Sequence, residues 1–528
     1  MRLRLLFECT YVFDHPHVNS GIQRVVRNVV NNLGALEADA DIDVHAECLP
    51  VILKNGKVYA VKSLAPDLRE RILNDTQERF EKTRNRYWLF HHNVDQRLGL
   101  GRLPKLRRVV QIVFRIGTVG FILPFALVML ALAPSRIHAR LLPWYERVRN
   151  RYWLIHHKLE QGLGLVRWRI LRWPFYQAFR LGSLSFVLPW KLVSLMARDD
   201  VDDRRAVELH CQPGDVLVLL DSSWHADFFS HAERLKADGL GIVAVIYDLI
   251  PLTHPQFCDA PLVKVFDHWF EWVSRTADGF IAISETICNE VRTDVARRLG
   301  PVEAGKRWYS FFHLGSELDQ ASQEGQVRQP VRTLFSGKRA IYLMVSTIEP
   351  RKNHAYLLDA FERVWAADPH SQAVLCIVGR VGWKCAPLVA RIKNHPELGK
   401  RLFMFNDLSD TELEFCYQHS KSLVFPSFVE GFGLPLVEAM QRGLPAMASD
   451  IPVFREIGAD FLAYFNLDDP ASLAALVRKF ENSGVFPAAQ GLTQWSWPGW
   501  RDSTRQLVQR IAANIPDATS GAKATRST

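Results

Sequence analysis

Glu430 and Glu438 stand eight residues apart on either side of a loop that holds Gly431, Phe432 and Gly433. A carboxylate accepts from two vicinal hydroxyls at once, so one glutamate in the loop and one in the following helix could hold two different polyols. The glycines permit positive φ angles and close backbone approach. Pro435 suits a first helical turn, Leu436, Val437 and Met440 recur at helical spacing, and Gly443 can cap the C-terminus. The free amides at the start of that helix form an anion site between the two carboxylates. Two polyols flanking a phosphate is the layout of a nucleotide-sugar. Arg351 and Lys352 add cations near the start of a second helix, whose face carries Leu357, Leu358, Phe361 and Val364. Lys352 is the stronger candidate for a diphosphate contact, because one of two adjacent side chains can point to solvent.

Strands must position these loops. Leu423–Phe425 reads as a short buried strand before the glycine loop, and 340–345 as the strand before the Arg351 loop. Earlier in the chain, residues 2–8 alternate as a strand. Ser20 and Gly21 then turn into a helix with Ile22, Val25, Val26, Val29 and Val30 on one face, which also carries Arg24. Apolar runs at 44–53, 216–220, 242–246 and 280–284 alternate with helical patterns, and 311–315 reads as the last strand of this first half. That order predicts parallel α/β sheets. The polar, aperiodic stretch 320–329 reads as a hinge.

Four stretches together resemble the retaining glycosyltransferases of family 4: Glu430-Gly-Phe-Gly-Leu-Pro-Leu-Val-Glu438, Thr347-Ile-Glu-Pro-Arg-Lys-Asn353, Ile377-Val-Gly-Arg-Val-Gly-Trp383, and Gly443-Leu-Pro445 with Ser449 and Glu456 after it. The resemblance covers about 340–485, and it implies the GT-B fold, two Rossmann-like α/β domains facing a cleft. The expected boundaries are an N-terminal acceptor domain at 1–83 and 199–319, a duplicated basic, aromatic helical insert at 84–198, a nucleotide-sugar domain at 330–488, a crossover tail at 489–515 with its helix at 503–511, and a disordered end at 516–528. The implied chemistry is transfer of a sugar from a nucleotide diphosphate to a hydroxyl with retention, and no metal or cofactor beyond the donor substrate. Lys352, Arg351 and the amides of Gly431 and Gly433 would neutralise the departing diphosphate, Glu430 would hold sugar hydroxyls and Glu438 the ribose diol. Gly21 would approach the donor phosphate. Arg24 would touch substrate or else be a solvated helix arginine. At the end of 242–246, where relatives often carry a histidine before Asp, this chain has Tyr247. Asp248 and His254 are the nearby candidates for acceptor or sugar contacts. The motifs look most like those of bacterial mannosyltransferase-like polysaccharide enzymes, so a hexose, with mannose from GDP-mannose favoured, would pass to a lipid-linked or saccharide acceptor. A non-catalytic scaffold on the same frame and a sugar-phosphate synthase are the alternatives.

The 528-residue chain has a net charge of +9, but residues 84–198 hold 20 Lys and Arg against 3 Asp and Glu, leaving −8 elsewhere. The basicity thus belongs to one insert. The insert repeats itself: Arg84-Asn-Arg-Tyr-Trp-Leu-Phe-His-His92 returns 65 residues later as Arg149-Asn-Arg-Tyr-Trp-Leu-Ile-His-His157. Its first copy contains a charge-free run, 116–135, long enough to span a bilayer. The second copy is interrupted by Lys191, so in-plane insertion into an anionic leaflet suits both copies best, with a re-entrant or transmembrane hairpin and a buried hairpin as the other placements. A nucleic-acid partner is excluded, because 116–135 would then be an exposed apolar liability. The expected location is cytoplasmic, peripheral or monotopic on the inner face of the cell membrane, where the insert would bring the cleft to a lipid-linked saccharide. Adjacent histidines His91, His92, His156 and His157 face different ways and do not chelate one metal. Asp39-Ala-Asp41 and Asp41-Ile-Asp43 match a metal-binding pattern without a second ligand cluster. The eight cysteines form no C-x-x-C pair and read as reduced core residues.

Overall fold

The structure is a computed structural model, and it describes residues 3–16, 21–37, 46–64, 205–318 and 326–515, save 223, 225 and 338, together with 177. The repeated insert therefore lies outside the described residues apart from Gln177, as do Asp39 to Asp43 and the tail 516–528. Among the described residues no helix is long and apolar enough to cross a membrane.

The first lobe is built on β1 (Leu3–Glu8), β2 (Ala46–Lys54), β3 (Lys57–Val61), β4 (Ala206–Leu209), β5 (Val216–Leu219), β6 (Gly241–Ile246), β7 (Gly279–Ala282) and β8 (Trp308–Phe311). Their order is β4-β3-β2-β1-β5-β6-β7-β8, and the strands from β2 through β1 and β5 to β8 pair in parallel. Such strands are covered on both faces and must be continuously apolar, as Val216–Leu219 and Gly279–Ala282 are, every residue of each being buried. The sheet is not wholly parallel as expected. β2 and β3 form an antiparallel hairpin whose turn, Asn55 and Gly56, has φ of 52° and 76°. Two successive positive φ angles give a type I′ turn, which matches the twist of the strands it joins.

The second lobe has β9 (Ala340–Val345), β10 (Ala373–Val378), β11 (Leu402–Phe405), β12 (Ser422–Phe425), β13 (Ala446–Ser449) and β14 (Ala463–Phe465) in the order β11-β10-β9-β12-β13-β14. All its pairs are parallel. This is a doubly wound sheet, and its order reverses between β9 and β12. The two-lobed α/β architecture is thus the one that the motifs imply.

Two boundaries differ from the sequence expectation. The last strand of the first lobe is Trp308–Phe311, not 311–315. Gly279 sets this register, because a Cβ there would lie 1.9 Å from the indole of Trp308, its partner across the sheet. After Phe312 donates to Ala282, the chain turns its backbone to the tail: the His313 amide donates to Gln506 and its carbonyl accepts from Ser503. Structure precedes Ala340, as the expected start of this domain at 330 allows. Arg328 ion-pairs with Asp407 and Glu412, and the helix Gln329–Phe335 follows, so the polar stretch read as a hinge is anchored at its end. The tail helix is longer than expected, Trp500–Asn514, and packs on the first-lobe helix Gly21–Glu37. Its approach is close, since a Cβ on Gly315 would sit 2.6 Å from the Trp500 amide. All eight cysteines are free, and seven are buried.

Glu456, on the second-lobe helix Pro452–Gly458, fastens the lobes together. Its carboxylate accepts from the amides of Glu285 (2.7 Å) and Thr286 (2.9 Å), the Thr286 hydroxyl (2.6 Å) and the His313 ring (2.9 Å). It caps the first-lobe helix Glu285–Leu299 from outside, where free amides and the dipole favour an anion. Burial opposes its ionisation, but these donors outweigh burial and hold the carboxyl below its ordinary value. Glu456→Ala should therefore lower stability by about 1–3 kcal/mol at neutral pH in urea denaturation. Because the carboxyl is depressed in the folded state, that difference should shrink as pH falls through the carboxylate range. Equal stabilities at neutral pH would show that the contact contributes nothing.

Candidate functional site

The carboxyl ends of β9 and β12 lie side by side at the strand-order reversal, where loops leave in opposite directions and open a crevice. After β12 the loop runs through Glu430 to Gly433, whose φ of 124° no bulkier residue adopts easily, and the helix Leu434–Gln441 begins. After β9 the chain makes a tight turn at Pro350–Lys352 and enters the helix His354–Ala367 through Asn353, at φ 55°. The two loops are joined where the Phe428 amide donates to the Arg351 carbonyl.

This brings Arg351, Lys352 and Glu430 together. Arg351 donates to one Glu430 oxygen at 2.6 Å, to the Val429 carbonyl at 2.9 Å and to Glu349 at 2.8 Å. Lys352 donates to the other Glu430 oxygen and lies 5.2 Å from the Phe425 ring centre. Both carboxylates are buried, Glu430 at 8% exposure and Glu349 at 2%. Burial alone would raise the Glu430 carboxyl, but Arg351 and Lys352 outweigh it and bring it from 4.5 to about 2. Burial likewise works against the Arg351 charge, yet Glu430, Glu349 and Asp248 raise its pKa. Lys352 is pulled down by burial and by Arg351. Its contact with Glu430 works against that shift. His354 is held neutral, at about 3, by burial and by Lys352.

Glu438 lies one helical turn in, 1% exposed, and accepts from Arg24 at 2.7 Å and from the Tyr417 hydroxyl at 2.7 Å. Arg24 belongs to the first lobe, so it is an interlobe partner of Glu438, not a solvated helix arginine. The lobes approach closely at Gly431, where a Cβ would lie 2.1 Å from the Tyr247 carbonyl and 3.0 Å from the Asp248 side chain. Ser284 completes this contact by donating to the Gly431 carbonyl at 2.9 Å. Phe432 is buried between His313 and Trp497.

Gly21 and Asp248 line a first-lobe cavity that also reaches Arg351. The Tyr247 phenol turns back to donate to the Leu220 carbonyl at 2.6 Å. His254 ends the short helix Ile250–Thr253, where its ring bonds Thr253 and stacks toward Phe257, and it is not among the residues that line this cavity. Sequence reasoning missed Glu349, although it lies within a recognised motif, and Tyr417, whose partnership with Glu438 leaves no local signal.

The family model of glycosyl transferases group 1 matches residues 327–491. The chain is 31% identical over 312 residues to the serotype-specific mannosyltransferase WbdA of Escherichia coli, covering 58% of this chain and 38% of that protein. It is 32% identical over 145 residues to the O-antigen chain mannosyltransferase RfbU of Salmonella typhimurium, covering 27% and 39%. It thus spans well under half the length of these relatives. Among solved structures, an α,α-trehalose 6-phosphate synthase from Burkholderia multivorans superposes with a TM-score of 0.41 at 15% identity, covering 57% of this chain and 72% of that one. Anabaena HepE in complex with UDP and glucose gives 0.39 at 16%, covering 58% and 75%. Residues 327–491, which make up most of the second lobe, match the model of the family that the motifs resemble.

Removing the Glu430 charge would leave two buried cations with one carboxylate. Glu430→Gln should cost about 3–5 kcal/mol of stability at neutral pH. A carboxyl depressed on folding stabilises above its unfolded value and ceases to as pH falls through the folded one. The wild-type advantage should therefore fade between 4.5 and about 2. Denaturant titrations across that interval check this, and an advantage independent of pH would refute the ion-pair assignment.

Proposed function

We propose that this chain is a retaining, metal-independent glycosyltransferase that moves a hexose, with mannose from GDP-mannose favoured, onto a saccharide or lipid-linked saccharide during surface polysaccharide synthesis. The observation that carries this reading is the buried Arg351, Lys352 and Glu430 cluster at the strand-order reversal, beside the free amides of the Gly431–Gly433 loop. The mannosyltransferase relatives support the sugar.

In the transfer, the anomeric carbon loses its bond to the diphosphate and gains one to an acceptor hydroxyl, whose proton leaves with the phosphate oxygen. The demand on the protein is charge stabilisation on the leaving group. Lys352 and Arg351 meet it already desolvated and fixed in place, which is where such charges act most strongly. Glu430, held ionised, can accept from sugar hydroxyls. Glu438 retains lone pairs for a ribose diol beside its bonds to Arg24 and Tyr417. The acceptor would enter from the first lobe. Seating at an anionic cytoplasmic leaflet is proposed on the composition of 84–198, where each basic residue near the surface contributes about 1 kcal/mol.

Purified protein should release nucleotide from one member of a panel of GDP-, UDP-, dTDP- and ADP-sugars. Lys352→Ala should lower that turnover by about 10²–10³-fold. Failure to bind any nucleotide-sugar by calorimetry would remove the transferase reading. Full-length protein should also pellet with anionic vesicles and much less with neutral ones, the difference collapsing at high salt. Equal pelleting with both would refute the electrostatic seat.

A further inference from the structure

The motif Ile377-Val-Gly-Arg-Val-Gly-Trp383 takes no part in the donor cluster, yet its end lies against both that cluster and the other lobe. After β10 the chain folds back along the stretch that leaves β9. The Ser346 amide donates to the Val378 carbonyl at 3.0 Å, the Ile348 amide to the Arg380 carbonyl at 2.8 Å, and the Gly382 amide to the Ile348 carbonyl at 2.9 Å. Ile348 and Val381 form a parallel bridge. Little room separates the two stretches. A Cβ on Gly379 would lie 1.7 Å from the Ser346 carbonyl oxygen, and one on Gly382 2.9 Å from that of Ile348 and 3.6 Å from the Glu349 side chain. Residues 379–385 are therefore a strap laid along the backbone that leads into Glu349, Arg351 and Lys352.

The tip of the strap reaches across to the first lobe. The Trp383 indole donates to the Phe257 carbonyl at 2.9 Å, and the Lys384 ammonium donates to the Cys258 carbonyl at 2.7 Å and lies 3.7 Å from Asp259. Lys384 has a φ of 53°, a conformation that a lysine keeps only where its surroundings hold it. These contacts differ in place from the other bonds between the lobes. Glu456 bonds His313, while Trp497 and Trp500 bond Leu314 and Glu317, so those bonds sit where the chain itself crosses from lobe to lobe. The strap shares no residue with either crossing. Its bonds end on two backbone carbonyls, so they depend on where the first lobe stands and not on which side chains it carries there.

We propose that the strap couples the approach of the first lobe to the geometry of the Arg351 turn, with Trp383 and Lys384 as positioning residues for Arg351. The path has few steps. The Phe257 and Cys258 carbonyls fix the tip of the strap, and the strap fixes Ile348 through Arg380 and Gly382. Ile348 precedes Glu349, which is 2% exposed and accepts from Arg351 at 2.8 Å. Glu430 holds Arg351 on the other side at 2.6 Å, and that is the bond for which a diphosphate would compete. Glu349 is then the carboxylate left to keep the guanidinium in place during the exchange, and it is the one that the strap backs. Separation of the lobes frees the tip and loosens the turn. Arg351 is thus held for charge stabilisation only while the first lobe lies against the strap. The coupling stands on these contacts, and its consequence for turnover rests on the transferase reading.

Hydrogen exchange on the full chain, read residue by residue by mass spectrometry, tests the coupling without substrate. The reporters are the Lys352 and Asn353 amides, which donate to the Glu349 and Pro350 carbonyls within the turn itself. Trp383→Phe, which keeps a ring but loses the N–H, and Lys384→Met should each speed exchange at both amides by about tenfold. Lys384→Arg, which can still donate to the Cys258 carbonyl, should stay within about twofold of wild type. With the donor that the nucleotide-sugar panel identifies, Trp383→Phe and Lys384→Met should lower kcat by about tenfold and move KM by less than about threefold, as loss of an interaction needed in the transition state does. Near-UV circular dichroism identifies a variant that fails to fold, and the two act at separate bonds, so either one keeps the test standing. Unchanged exchange at Lys352 and Asn353 in the folded variants overturns the coupling, as does Lys384→Arg exchanging as fast as Lys384→Met. Faster exchange with an unchanged kcat overturns the positioning role. Faster exchange with no donor turned over upholds the coupling and counts against the transferase reading alone.

Discussion

Glu430 sits buried between Arg351 and Lys352, and the charges of Glu430 and Lys352 each depend on the partners beside them. A carboxylate in so dry an environment would otherwise take up a proton, and a buried ammonium would otherwise lose one. With Glu349 on the far side of Arg351, two cations face two carboxylates, and the cluster is neutral before any ligand arrives. A diphosphate that draws on these cations would take over donors that Glu430 now holds. Desolvation of the cations belongs to folding and not to the moment of reaction, which is the condition under which fixed charges stabilise a transition state. The backbone serves the same end. The Phe428 amide ties one loop to the other, and Asn353 turns the chain so that Lys352 and Arg351 can both reach a single glutamate.

That cluster belongs to the second lobe, yet its usefulness depends on the first. The absence of a side chain at Gly431 lets the Tyr247 carbonyl come close, and Ser284 and Glu456 add directed bonds around the contact. Arg24 reaches Glu438 from the helix against which the tail packs. Trp497, which donates to the Leu314 carbonyl, and the Trp500 amide, which donates to Glu317, fix the crossover. Donor residues and the first-lobe cavity are consequently adjacent, with Arg351 common to both.

The legible part of this site was the part written in consecutive residues. Glu430, Glu438, Arg351 and Lys352 lie in two loops whose glycines, proline and flanking apolar runs declare strand, turn and helix, so their convergence followed from the fold class. Partnerships across the fold were not legible. Nothing near Tyr417 points to Glu438, and Arg24 reads as an ordinary helix arginine until the lobes are in place. His254, near Asp248 in sequence, lies at the end of an intervening helical turn and bonds its own neighbour Thr253, which sequence proximity does not reveal. The end of β8 was misplaced because its register depends on Trp308 filling the space above Gly279, a contact between strands that periodicity cannot express. The hairpin of β2 and β3 was missed, although Asn55 and Gly56 carry the turn chemistry that marks it.

The tyrosine at position 247 bears on what the first lobe can contribute. A histidine there could exchange protons near neutral pH, whereas the Tyr247 phenol is pushed well above its ordinary value by burial and by Asp221 and Glu8, and donates its proton to the Leu220 carbonyl. It can neither take a proton from an acceptor nor lend a charge. The titratable groups that face the cavity from this side are then Asp248 and Asp221, both raised by burial, the first of them beside Arg351. Groups of this kind orient hydroxyls. The proposed retaining transfer, in which the departing phosphate receives the acceptor's proton, would ask the first lobe for no more than that, so a tyrosine at this position is compatible with the proposed activity provided that the acceptor is held by its hydroxyls.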